Sequence, residues 1–250
     1  MITREKNDLE IYEVIYLYLI IMLLLLSLGS LFQSKFGVYG TFLTQITLIL
    51  FPVFVIVKKF KLNSHILFKF HIPDLKSIYN NISMWIVVLF LIGITSQIQL
   101  KIFPNQMKDL ELLNNFFKAT KLWQQLLLFS VTPAICEELL FRGLIFGSLK
   151  KKMNPKYAII FSGILFGIFH IYPGKILTTA MLGMFFAFSL QKTKSLVMPM
   201  LLHFLNNSYI FLLMPFIAKL ENENNIIISI EFFIFILVSN GIFQFLKFLK

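Results

Sequence analysis

Apolar residues run along this chain in blocks of roughly twenty, at 11–32, 38–57, 82–100, 122–149, 157–172, 176–191, 196–218 and 226–249, with short lysine-rich stretches between them. A helix rises about 1.5 Å per residue and the hydrocarbon core of a bilayer is about 30 Å thick, so each block predicts one membrane-crossing helix. The expected fold is all-α: a polytopic membrane bundle of eight transmembrane helices, one domain over residues 1–250. The leader MITREKNDLE is acidic as well as basic, and no small-residue cleavage site follows the long first block. That block reads as a retained span and not as a secretory signal.

Composition narrows the picture. Charged residues are 14% of the 250, against about 25% in soluble domains, and the mean hydropathy is +0.80. The short loops leave no room for a separate soluble domain, and a disordered chain is excluded. Cys136 is the sole cysteine, so no internal disulfide forms. A net charge of +11 in a soluble protein would suggest nucleic acid; here the lysines cluster beside apolar runs, so the expected partner is anionic membrane lipid and no nucleic acid is expected. Loops on one side hold 15 Lys and Arg and those on the other seven, which predicts that both termini are cytoplasmic. Between spans two and three, His65 and His71 are expected in solvent or against headgroups, with Pro73 and Asp74 opening an interfacial helix. LELLNNFFKATK is expected to lie on the outer surface, and Glu231 to reach for the interface.

The informative residues are the ionisable ones inside spans, because charge at membrane depth is costly and marks function. Span four carries Glu137, Glu138 and Arg142; span five carries His170; span seven carries His203, Asn206 and Asn207. Counted from Lys150, Lys156 and Lys194, Glu137, His170 and Asn207 lie roughly 20 Å deep, with His203 and Arg142 roughly 14 and 12 Å deep. Helical phase puts Arg142 on the face of Glu138, as an ion pair, and turns Glu137 about 140° away, free for chemistry. His203 and Asn207 share a face, from which Asn206 turns off. Gly143 and Gly147, with Gly163 and Gly167, form two GxxxG pairs that predict a tight hairpin of spans four and five. Pro133 is either a kink or a fresh start capped by Thr132, or an ordinary membrane-helix proline.

At these residues the chain resembles the CPBP family of intramembrane proteases, which comprises the type II CAAX prenyl endopeptidases and bacterial relatives known as Abi or bacteriocin-processing proteins. The family signature EExxxR, FxxxH, HxxxN is matched by Glu137, Glu138 and Arg142, then Phe166 and His170, then His203 and Asn207. The resemblance covers residues 122–216, the expected catalytic core. It implies an endopeptidase in which Glu137 activates a water, His170 positions that water or binds developing charge, and His203 and Asn207 donate to the oxyanion. Glu138 and Arg142 would hold span four in place, with Phe166 supporting. Glu137, His170 and His203 are also an adequate zinc set, but HExxH is absent, so a metal-free glutamate mechanism is expected, with no cofactor. The implied substrate is a membrane-associated peptide or protein, in a bacterial cytoplasmic membrane. Rival readings are a non-catalytic scaffold or bacteriocin self-immunity protein, and a small transporter, which would more readily show an inverted repeat.

Overall fold

A computed structural model describes residues 8–103, 120–220, 238, 240–244 and 246. These residues form helices and no β-strand. The helices are α1 (Ile11–Phe36), α2 (Val38–Lys59), the short α3 (Ser64–Leu67), α4 (Leu75–Ile102), α5 (122–152), α6 (Pro155–Phe169), α7 (Pro173–Thr193) and α8 (Val197–Leu220). Helices α1, α2, α4 and α7 are each long and apolar enough to cross a bilayer, which makes this an all-α membrane bundle. Most of the eighth expected span, the expected outer-surface stretch and Glu231 lie outside the described residues. Of the last span, Asn240 donates to Asn80 Oδ1 at 3.3 Å and Gly241 packs on the backbone of Ser83, both on α4.

Helix α5 is the axis of the bundle. Residues 139–146 are buried on every side, as expected of a helix surrounded by others. Its backbone passes through Pro133 without a break; π-helical segments at Leu127–Val131 and Leu139–Phe146 flank Thr132–Glu138. The Thr132 hydroxyl bonds back to Leu127 O at 2.7 Å and caps nothing ahead of it. At the lysine end of α5, Leu9 N donates to Ser148 Oγ at 3.0 Å and Lys152 pairs with Glu10 at 2.7 Å. The segment before α1 therefore sits at the same end of the bundle as the α5–α6 turn.

Two expectations change. The glycines of spans four and five do not mesh with each other: a Cβ on Gly143 would strike Phe68, and Gly147 faces Leu67, so the α3 segment covers that side of α5. Gly163 and Gly167 instead seat α7, with Gly167 against Ile176 and Ala180, and Gly183 of α7 against Phe166. The GxxxG signal reported a close approach and not its partner. Nor is there a separate interfacial helix after Pro73. Asp74 caps the third span itself, accepting from Ser77 N at 2.9 Å, and Ser77's hydroxyl and N–H hold its carboxyl below the usual range. His65 and His71 are exposed, as expected.

Helix α6 is short. Its 15 residues rise about 22 Å, less than the hydrocarbon core. The chain turns at residues 170–172, with Ile171 at φ 61°, an unfavourable region for a β-branched residue. The turn leaves His170 at the end of a helix shorter than the hydrocarbon core, and irregular backbone at membrane depth is tolerated where it lines a cavity.

Candidate active site

The site is built outward from two adjacent glutamates of α5. Glu138 and Arg142 are both completely buried. Their Oε2 and Nε atoms are 3.1 Å apart, an ion pair whose N–H is not aligned as a hydrogen bond. Arg142 also donates from Nη2 to Gly183 O at 3.2 Å, and its guanidinium lies 4.3 Å from the Phe166 ring centre and 5.3 Å from that of Phe186. Burying a cation this way requires the carboxylate and the faces of the rings together. Phe166, on the signature FxxxH, is thus a platform: its ring also meets those of His170 and His203 edge-on, at 4.9 and 5.8 Å.

Glu138 does more than pair with Arg142. Its other oxygen, Oε1, lies 2.8 Å from Nδ1 of His203. A carboxylate can only accept, so Nδ1 of His203 carries the proton and Nε2 is turned toward Glu137, 3.9 Å from its Oε2. Phe186 stacks on the same imidazole at 5.3 Å. Arg142, Glu138, His203 and Glu137 form one continuous chain of polar groups across α5 and α8.

Glu137 is 6% exposed. Its Oε1 accepts from Gln45 Nε2 of α2 at 2.7 Å, and its Oε2 is buried without a hydrogen-bond partner among the described residues. His170, at the end of α6, has Nδ1 2.9 Å from Phe166 O, so Nδ1 is the donor and Nε2 the acceptor. A cavity of about 320 Å³ between α1, α2, α5 and the turn after α6 is bordered by both Glu137 and His170. Of the expected catalytic residues, these two share the cavity and His203 stands beside Glu137.

Asn207 is engaged elsewhere. Its Nδ2 donates to Phe129 O at 3.0 Å, and its Oδ1 accepts from Asn206, whose own Oδ1 is 3.5 Å from Trp85 Nε1 on α4. Phe129 lies four residues before Pro133, which has no N–H to give that carbonyl, so Asn207 supplies a donor where proline removed one. One N–H of the Asn207 amide is left for other work. Asn206 turns off the His203 face, as its phase required.

The donor chemistry for a metal is partly present, since each of the two imidazoles has Nδ1 occupied, leaving Nε2 as the ligating nitrogen. Among the described residues, however, no three His, Cys, Asp or Glu side chains converge on one point.

Residues 119–209 match the family model for type II CAAX prenyl endopeptidase Rce1-like proteins. Over 134 residues the chain is 28% identical to a protein of Bacillus subtilis (strain 168) named "Putative membrane peptidase YdiL", which covers 53% of this chain and 54% of that one. The chain thus spans about half the length of the curated relative it matches. No solved structure matches. Every signature residue, from Glu137 to Asn207, falls inside the segment that matches the model for type II CAAX prenyl endopeptidase Rce1-like proteins.

Proposed function

We propose that this membrane protein is an intramembrane endopeptidase that hydrolyses a peptide bond of a membrane-associated peptide or protein with a water activated by Glu137. The observation that carries the reading is Glu137 itself: a buried carboxylate with one oxygen anchored by Gln45, the other unpartnered, bordering a cavity that His170 also borders. A general base needs this combination of fixed direction and reach to a water.

In the proposed reaction, Glu137 Oε2 takes a proton from the water as its oxygen bonds to the scissile carbonyl carbon, and the carbonyl electron pair moves onto oxygen. His170 borders the same cavity and limits where the water can sit. With a second proton on Nε2 and Glu138 balancing the charge, His203 donates to the developing oxyanion together with the second N–H of Asn207. Collapse of the intermediate breaks the C–N bond, and the proton held by Glu137 passes to the leaving nitrogen. Glu138, Arg142 and Phe166 hold this set in register. The reaction is read as metal-free, acting on membrane-associated substrates in a bacterial cytoplasmic membrane, with both termini on the cytoplasmic side and 122–216 as catalytic core of a single membrane domain.

The test is cleavage of fluorophore–quencher peptides containing one apolar span by the purified chain in detergent. Cleavage abolished by Glu137→Gln supports the reading. No cleavage above a protein-free control across the panel counts against it.

A further inference from the structure

Helix α2 lies outside the matched segment, yet among the described residues it supplies the one side-chain hydrogen bond that Glu137 receives. Gln45 sits in the run TFLTQITLILF, whose other residues are apolar or threonine, and is 7% exposed. Burying an amide away from water is costly unless both its ends are bonded. One end is: Nε2 donates to Glu137 Oε1 at 2.7 Å. The other is not: Gln45 Oε1 is buried with no partner among the described residues, and so is Glu137 Oε2. Gln45 also begins the π-helical segment Gln45–Leu50, an irregularity frequent at functional sites, and borders the same cavity as Glu137 and His170.

Both acceptors lack donors, and a ligand with two donors that enters beside them would satisfy both. A water donating at about 2.7 Å to each of two oxygens spans about 4.4 Å between them. We propose that Gln45 is a positioning residue for hydrolysis. Its Nε2 fixes the Glu137 carboxylate, and its Oε1 accepts a hydrogen bond from one O–H of the attacking water, whose other proton goes to Glu137 Oε2. Holding both hydrogens fixes the plane of the water and turns its lone pairs to the side away from the two acceptors. A glutamate alone would leave the water free to rotate about a single bond, and that loss of orientation slows the attack.

The inference rests on the peptidase reading, and the experiment separates the two. In the purified full chain, dicyclohexylcarbodiimide labelling of Glu137 is followed by mass spectrometry. Gln45→Ala uncovers Oε1 and accelerates labelling about fivefold; Gln45→Asn, one methylene too short to reach, does the same should the alanine variant fail to fold. Ile49→Ala enlarges the same cavity without touching Glu137 and leaves the rate within about twofold. Equal labelling in parent and Gln45 variants overturns the proposal, as does equal acceleration by Ile49→Ala. With the peptide panel as probe, Gln45→Ala lowers kcat about a hundredfold and leaves KM within about twofold, because water and not substrate is misplaced. A raised KM with unchanged kcat overturns the water-positioning role. A parent that cuts no peptide defeats the peptidase reading and the water role with it, and labelling still decides whether Gln45 holds Glu137.

Discussion

Replacing Glu138 with leucine removes one residue and strands two others. Arg142, completely buried, loses the only carboxylate within 4 Å of it among the described residues, and Nδ1 of His203 loses its acceptor. Breaking a buried pair from one side costs about 3 to 5 kcal/mol. At about 2 to 4 °C per kcal/mol for a chain of this size, the melting temperature should fall by about 6 to 20 °C. Arg142→Met should destabilise comparably by leaving the carboxylate. The double variant Glu138→Leu/Arg142→Met replaces both charges with apolar side chains among Phe141, Phe166 and Phe186, a change that is often neutral or stabilising. It should melt within about 4 °C of the parent. Yet it should not cleave peptide, because His203 is still without the carboxylate that sets its proton and direction. Melting is followed by the fluorescence of Trp85 and Trp123 in detergent, and cleavage with the quenched panel. An undiminished melting temperature for both single variants refutes the ion-pair argument; a double variant with parental activity refutes the role of Glu138 in orienting His203.

Three further outcomes are expected. Gly167→Ala, whose Cβ would lie 2.5 Å from Ile176 O, should cost about 1 to 3 kcal/mol by forcing α6 and α7 apart, whereas Gly93→Ala, with nothing within 4 Å, should be neutral or stabilising by up to about 1 kcal/mol; thermal melting of the two decides it. Peptide cleavage should survive exhaustive chelation, and loss that is reversed specifically by stoichiometric zinc would move Glu137, His170 and His203 into the role of ligands. Alkaline phosphatase fused after Lys76 or Lys152 should be inactive, since both lie on the lysine-rich side; active fusions would invert the orientation.

Much of the site was legible because a helix states its own phase. The spacing of Glu138 and Arg142 announces an i,i+4 pair, and a pair is what forms. What lies between helices was less legible. Nothing in the sequence says that His203 will reach Glu138 sooner than Asn207 reaches an oxyanion, because that depends on which faces of α5 and α8 meet. Small residues at Gly163 and Gly167 announce a close neighbour without naming it, and α7 filled the place expected for α5. Hydropathy carried the fifth span through to residue 172, but α6 stops at Phe169: Pro173 biases the residue before it away from helix, and the turn it enforces is what presents His170 to the cavity. Gln45 carries no charge and belongs to no motif. Its one signal was a large amide alone in an apolar span, which has to find a partner inside the protein.

The measurement that bears most directly on the account is the paired behaviour of Glu137→Gln. The substitution keeps the side chain's size and its contact with α2 but removes the base. Purified parent and variant are compared for cleavage of the quenched peptides and for melting temperature. The account predicts a variant that melts within about 4 °C of the parent, equivalent to about 1 kcal/mol, and cleaves at least about a hundredfold more slowly. A Glu137→Gln protein that cleaves at the parental rate contradicts it.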